Sequence, residues 1–82
     1  MRLLGKVLHM GTKGPILKAQ ITPKLGQPVF NSKKKRVGNV YELFGPVNSP
    51  YVIIKPASGI SPQKLIGMSL YIMEEKQTKK VG

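Results

Sequence analysis

Residues 36–56, R-V-G-N-V-Y-E-L-F-G-P-V-N-S-P-Y-V-I-I-K-P, decide the fold of this chain. They read as two apolar strands, Val37–Phe44 and Tyr51–Lys55, joined by a stiff loop over Gly45–Ser49. Val52, Ile53 and Ile54 are β-branched and favour extended backbone. Pro46 and Pro50 push the residues before them out of the helical region. Gly38 interrupts the first strand, and neither face of that strand is cleanly polar. Val40 and Phe44 share one face, while Val37, Tyr41 and Leu43 share the other. A bulge near Gly38 or Asn39 reconciles this pattern. Tyr41, Phe44 and Tyr51 are expected in one apolar cluster, with Leu43 and Ile53 as core behind the loop.

Outward from this hairpin the chain is a series of short strands and turns. Leu3–Met10 is a strand with Leu4 and Leu8 on one face and Leu3 and Val7 on the other. Gly11–Pro15 is a turn, and Ile16–Ile21 returns as the second arm of a hairpin. Thr22–Pro28 is a loop, Val29–Phe30 a brief strand, and Asn31–Lys35 an exposed polar turn. After Pro56 and the loop Ala57–Ile60, the segment 61–66 reads as one helical turn. Ser61 stands at its N-cap, Pro62 at its first position and Gly67 at its stop. Ser69–Met73 is the last strand. Short strands separated by turn signals predict an all-β barrel or sandwich. One domain is expected over 1–75, with a basic flexible tail over 76–82.

Charge is the strongest compositional feature. Fourteen Lys and Arg stand against three acidic residues, a net charge of +11, and hydrophobic residues make up 40% of the 82. That balance builds one small core and points to a polyanion or a particle containing one. The chain has no cysteine, which excludes a disulfide framework and thiolate metal sites. No apolar run reaches the roughly 18–20 residues that cross a bilayer. The opening M-R-L-L-G-K-V-L-H-M is broken by Lys6 and His9, so it reads as a strand and not as a signal peptide.

Acid–base catalysis needs groups that exchange protons near neutral pH. Here the inventory is His9, Glu42, Glu74 and Glu75. It offers no carboxylate pair and, without aspartate, no Ser/His/Asp set. Gly11-Thr12-Lys13-Gly14 lacks the spacing of a phosphate loop. The sequence therefore predicts no enzyme, no cofactor and no metal.

Two binding features remain. Lys33, Lys34, Lys35 and Arg36 suit RNA phosphates, or form a solvated turn. Tyr41, Phe44 and Tyr51 could stack on bases or anchor a protein interface. Phe44-Gly45-Pro46-Val47-Asn48-Ser49-Pro50-Tyr51 contains no charged residue. Phosphate binding would want cations there, and a stiff loop loses little entropy on docking, so this segment reads as a protein interface.

The pattern V-G-x-V-x-E-L-F-G-P-V-x-x-P-Y-V-x-I-K-P from Val37 to Pro56 resembles the Gar family, the small non-catalytic subunit of H/ACA ribonucleoprotein particles. R-L-L-G-K-V-L-H at Arg2–His9 and I-G-x-x-L-Y-I at Ile66–Ile72 extend the resemblance to residues 2–73. It implies a six-stranded β-barrel related to translation-factor barrels. It also implies a partner, the pseudouridine synthase catalytic subunit. The chain would promote substrate RNA loading and product release in rRNA pseudouridylation, as a monomer within a hetero-oligomer. Guide and substrate RNA would be met indirectly or through the basic surface. Val40, Phe44, Gly45, Pro46, Val47, Pro50 and Tyr51 are the residues expected on the synthase. The glycine/arginine-rich extensions of eukaryotic relatives are missing, so an archaeal-type, cytoplasmic chain is expected, or a nucleolar one if the source is eukaryotic. The alternative is a small basic barrel binding RNA directly, as ribosomal or translation-associated proteins do.

Overall fold

A computed structural model describes residues 1–73. Six strands, β1 (Arg2–Met10), β2 (Pro15–Ala19), β3 (Pro28–Phe30), β4 (Arg36–Phe44), β5 (Tyr51–Pro56) and β6 (Ser69–Ile72), are joined by turns and one 3-10 turn over Pro62–Leu65. They close into a barrel in the order β1-β2-β5-β4-β3-β6, with β6 returning to β1. All pairings are antiparallel. The tail expected over 76–82 lies outside the described residues.

A barrel this small closes only if its long strands bend sharply, and bulges supply the bend. In β1 the register skips Leu4 against β6 and Leu8 against β2. In β4 it skips Val37 against β3 and Tyr41 against β5. Each skip resets the alternation of faces. Leu4 and Val7 both enter the core, whereas Leu8, expected beside Leu4, is exposed. Val37 and Val40 likewise both point inward, and Tyr41 is pushed out at 49% exposure. The bulge expected near Gly38 or Asn39 is thus two bulges, flanking that pair.

The core is aliphatic. Leu4, Leu17, Val29, Val52, Ile54 and Leu70 are fully buried, with Leu65 of the 3-10 turn plugging the cluster. Leu43 packs against it, as expected. Ile53 is buried but stands apart from that cluster, near Gly14 and opposite Ile16. The strict alternation Val52-in, Ile53-out, Ile54-in explains the difference from the core position expected of it. The second strand stops at Ala19, earlier than the Ile21 expected. There the chain leaves the ladder, with Ala19 N–H donating to Pro50 C=O (2.8 Å) and Gln20 N–H to Leu4 C=O (2.7 Å). Ser61 occupies the N-cap position without a side-chain capping bond, and Pro62 follows it. Leu17→Ala should cost about 2–5 kcal/mol, because the rigid ring of strands cannot collapse onto the void; chemical denaturation measures this.

Candidate functional site

The strand β4 carries the two features singled out in the sequence to opposite ends of the barrel. Arg36 and Phe44 are its first and last residues. At the usual rise the strand separates them by up to roughly 26 Å, less what its bulges take up.

At the far end, Phe44 pairs with Tyr51 across β4 and β5. Their rings stack with centroids 5.4 Å apart and planes 22° from parallel. Lys18, opposite Tyr51 on β2, sets its ammonium 5.9 Å from the tyrosine centroid, within reach of the ring's negative face. Gly45 makes the stack feasible. It has φ +93°, and a Cβ there would stand 3.0 Å from Tyr51 Cδ2. Any L-residue at 45 would therefore combine backbone strain with a crowded tyrosine ring.

The loop beyond the stack is exposed yet anchored. Phe44 is 43% and Val47 86% exposed, with Gly45 and Pro46 also open to solvent. Its return limb is fixed to β2: Ser49 Oγ donates to Ala19 C=O at 3.0 Å, and Pro50 C=O takes the Ala19 N–H. The result is a preformed apolar tip on a rigid wall, suited to docking without ordering a loop.

Not every expected interface residue reaches this surface. Val40 is 3% exposed and belongs to the core cluster. Pro50 is buried where its carbonyl joins β2. Both support the tip from beneath. Tyr41, expected in one cluster with Phe44 and Tyr51, stands out separately at its bulge. The outward residues gathered here are Phe44, Gly45, Pro46, Val47 and half-buried Tyr51. Lys18 and Ser49 join them; Ser49 lies within the segment read as an interface, whereas sequence reasoning passed Lys18 over. Lys18 arrives through the long-range pairing of β2 with β5, which leaves no local signal.

At the near end, the β3–β4 turn presents Lys33, Lys34, Lys35 and Arg36, all exposed. Asn31 organises the turn. Its Oδ1 accepts the Lys33 and Lys35 N–H groups at 2.9 and 3.0 Å, and its own N–H donates to Lys35 C=O at 2.9 Å. An asparagine ahead of a polar turn is the signal for such an arrangement. Arg36 Nη1 donates to Asn39 Oδ1 at 2.6 Å, and Asn39 Nδ2 to Gly26 C=O at 2.9 Å.

Glu42 pairs with Lys13 at 3.2 Å on the surface, and not with His9. Among the described residues no cluster of three or more His, Cys, Asp or Glu is placed to hold a metal. No helix among them is long and apolar enough to cross a membrane. Among the described residues, no carboxylate or imidazole lines the hollow of about 460 Å³ beside Leu25, Gln27, Phe30 and Met73.

Comparison with known proteins finds one family along nearly the whole chain. The family described as the Gar1/Naf1 RNA binding region matches residues 1–81. An uncharacterized protein of Methanothermobacter thermautotrophicus is 42% identical over 86 residues, covering 100% of this chain and 92% of its own length. The H/ACA ribonucleoprotein complex subunit GAR1 of Chaetomium globosum is 34% identical over 77 residues, covering 89% of this chain and 36% of its own length. That of Botryotinia fuckeliana is 32% identical over the same span of 77 residues, with 89% and 34% covered. The chain thus spans about a third of the length of these fungal relatives.

Proposed function

This chain belongs to the Gar1/Naf1 RNA-binding-region family, and from that premise we propose that it is a non-catalytic subunit of an H/ACA-type guide ribonucleoprotein. It docks on the pseudouridine synthase subunit through the tip formed by Phe44, Gly45, Pro46, Val47 and Tyr51. By holding that enzyme it promotes loading of substrate RNA and release of product. The observation that carries this reading is the exposed and anchored 44–49 loop, itself without a charged residue and flanked by Lys18, on a protein of net charge +11. Interfaces exclude charge from their centres and favour aromatic anchors, as here. A stacked pair fixed by Gly45 is preorganised, so binding loses little side-chain entropy.

The names of the fungal relatives support membership of the particle, and the whole-chain identity with an archaeal relative supports an archaeal-type, cytoplasmic setting. The chain acts as one barrel domain, a monomer within the hetero-oligomer. Gel filtration of the purified chain with an archaeal pseudouridine synthase tests the reading. Co-migration at micromolar concentration is the expected result; separate elution of the two proteins at that concentration defeats it.

A further inference from the structure

We propose that the barrel end opposite the docking tip is an RNA-backbone contact face, made by the 31–36 turn together with Lys55 and Lys64. It rests on the reading above, in that the RNA is the particle's own, and it gives that RNA a specific place on this chain.

The fold concentrates cations there from separate parts of the sequence. Lys33, Lys34, Lys35 and Arg36 come from the β3–β4 turn, all exposed. Lys55 is exposed on β5 directly opposite Asn39, the residue that holds Arg36. Lys64 comes from the 3-10 turn. A cleft of about 300 Å³ lies between the two turns, with Lys35 and Asn31 on one wall and Lys64 and Ser61 on the other. Lys35 and Lys64 thus line a concave surface with hydrogen-bonding groups, and the other four cations stand on the 33–36 turn and β5.

The turn is also built, and not merely solvated. Asn31 clamps the Lys33 and Lys35 amides. Lys34 is held at φ +68°, the only non-glycine residue with positive φ among those described. A left-handed lysine carries a conformational cost, which the tight β3–β4 hairpin loop requires at this position. Fixing the backbone sets the directions in which the lysines leave.

Nothing described neutralises these cations. Glu42 is the one carboxylate among the described residues, and it pairs with Lys13. Six cations without a described carboxylate make a strong local positive field, which draws polyanions and raises their rate of encounter. The exposed aromatics Phe44 and Tyr41 lie in the second half of β4, away from this end. Phe30, opposite Arg36 on β3, is half-buried, so the cations are what this end presents most openly, and phosphate oxygens are the groups they fit. Binding of this kind reads backbone position and carries little sequence preference.

The salt dependence of RNA binding tests it. The full chain is titrated onto a fluorescein-labelled RNA hairpin of about 16–20 base pairs, and fluorescence anisotropy gives affinity at several salt concentrations. The variant K33Q/K34Q/K35Q should flatten the log–log salt slope by roughly 2–3, at about 0.9 per lost phosphate contact, and weaken low-salt binding at least tenfold. A control of equal charge loss outside both proposed faces, K6Q/K13Q/K24Q, should flatten it by less than about 1. All of these side chains are exposed, so both variants should keep the parent circular dichroism spectrum. Equal slopes for the two variants, or no change in K33Q/K34Q/K35Q, would overturn the proposal in favour of diffuse charge. Co-migration with the synthase is measured on the same K33Q/K34Q/K35Q sample. Its retention alongside a flattened slope is the full expected result. Failure of the parent chain to co-migrate would count against the docking reading while leaving the salt result standing by itself.

Discussion

Phe44→Ala should bind the pseudouridine synthase at least about 30-fold more weakly than the parent chain, the loss of roughly 2 kcal/mol expected of an aromatic hot spot. The truncation removes the exposed half of the stack and leaves Tyr51 without the ring 5.4 Å away that orients it. Stability should move far less. Phe44 is 43% exposed, and an aromatic pair contributes about 0.5–1.5 kcal/mol beyond its burial. A titration calorimeter separates the two effects, because the variant remains folded while its affinity falls. Unchanged affinity would remove Phe44 from the interface. An equal fall in Lys64→Gln, at the other end of the barrel, would mean that general charge or fold accounts for the loss.

The second large effect concerns the fold that holds the tip in place. Gly5→Ala should lower the melting temperature by roughly 12–24 °C, corresponding to about 3 kcal/mol in a domain of this size. Gly5 is buried in β1 opposite Ala19, and a Cβ built on it would stand 2.2 Å from the Lys18 carbonyl oxygen. That neighbour is backbone and cannot rotate away. Relief requires β1 and β2 to part, and β2 anchors the return limb of the tip through Ala19. The variant should therefore lose synthase binding together with its fold. A melting temperature within a few degrees of the parent would mean that the β1–β2 approach is looser than described.

The hairpin over 36–56 was legible because its signals are local: β-branched runs, proline placement and an uncharged loop act within a few residues of one another. Antiparallel pairing of Phe44 with Tyr51 follows from the loop they flank. What the sequence could not place were the bulges. Each one advances a strand by a residue and turns every later side chain to the opposite face. Tyr41 consequently projects outward while Val37 and Val40 both enter the core, and Leu8 departs from Leu4 in the same way. Pro50 reads as a loop proline, but its burial depends on β2 lying alongside β5, a pairing of segments far apart in sequence. Lys18 joins the aromatic stack through that same pairing. The basic turn was visible as a run of charge. Its clamp by Asn31, and its convergence with Lys55 and Lys64, required the closed barrel to be seen.

These features describe a small barrel with two working ends. On the proposals made above, the apolar tip meets a protein and the cationic end faces the nucleic acid which that protein carries. Separating the two functions keeps desolvated aromatic contacts away from the hydrated, salt-sensitive phosphate contacts.

Hydrogen exchange across the chain, free and bound to the synthase without RNA, tests the central claim most directly. The account predicts slowed exchange at the amides of Gly45, Val47, Asn48 and Ser49 on binding, with those of Lys33–Arg36 unchanged. Protection at Lys33–Arg36 and around Lys64, with none at Gly45–Ser49, would contradict it.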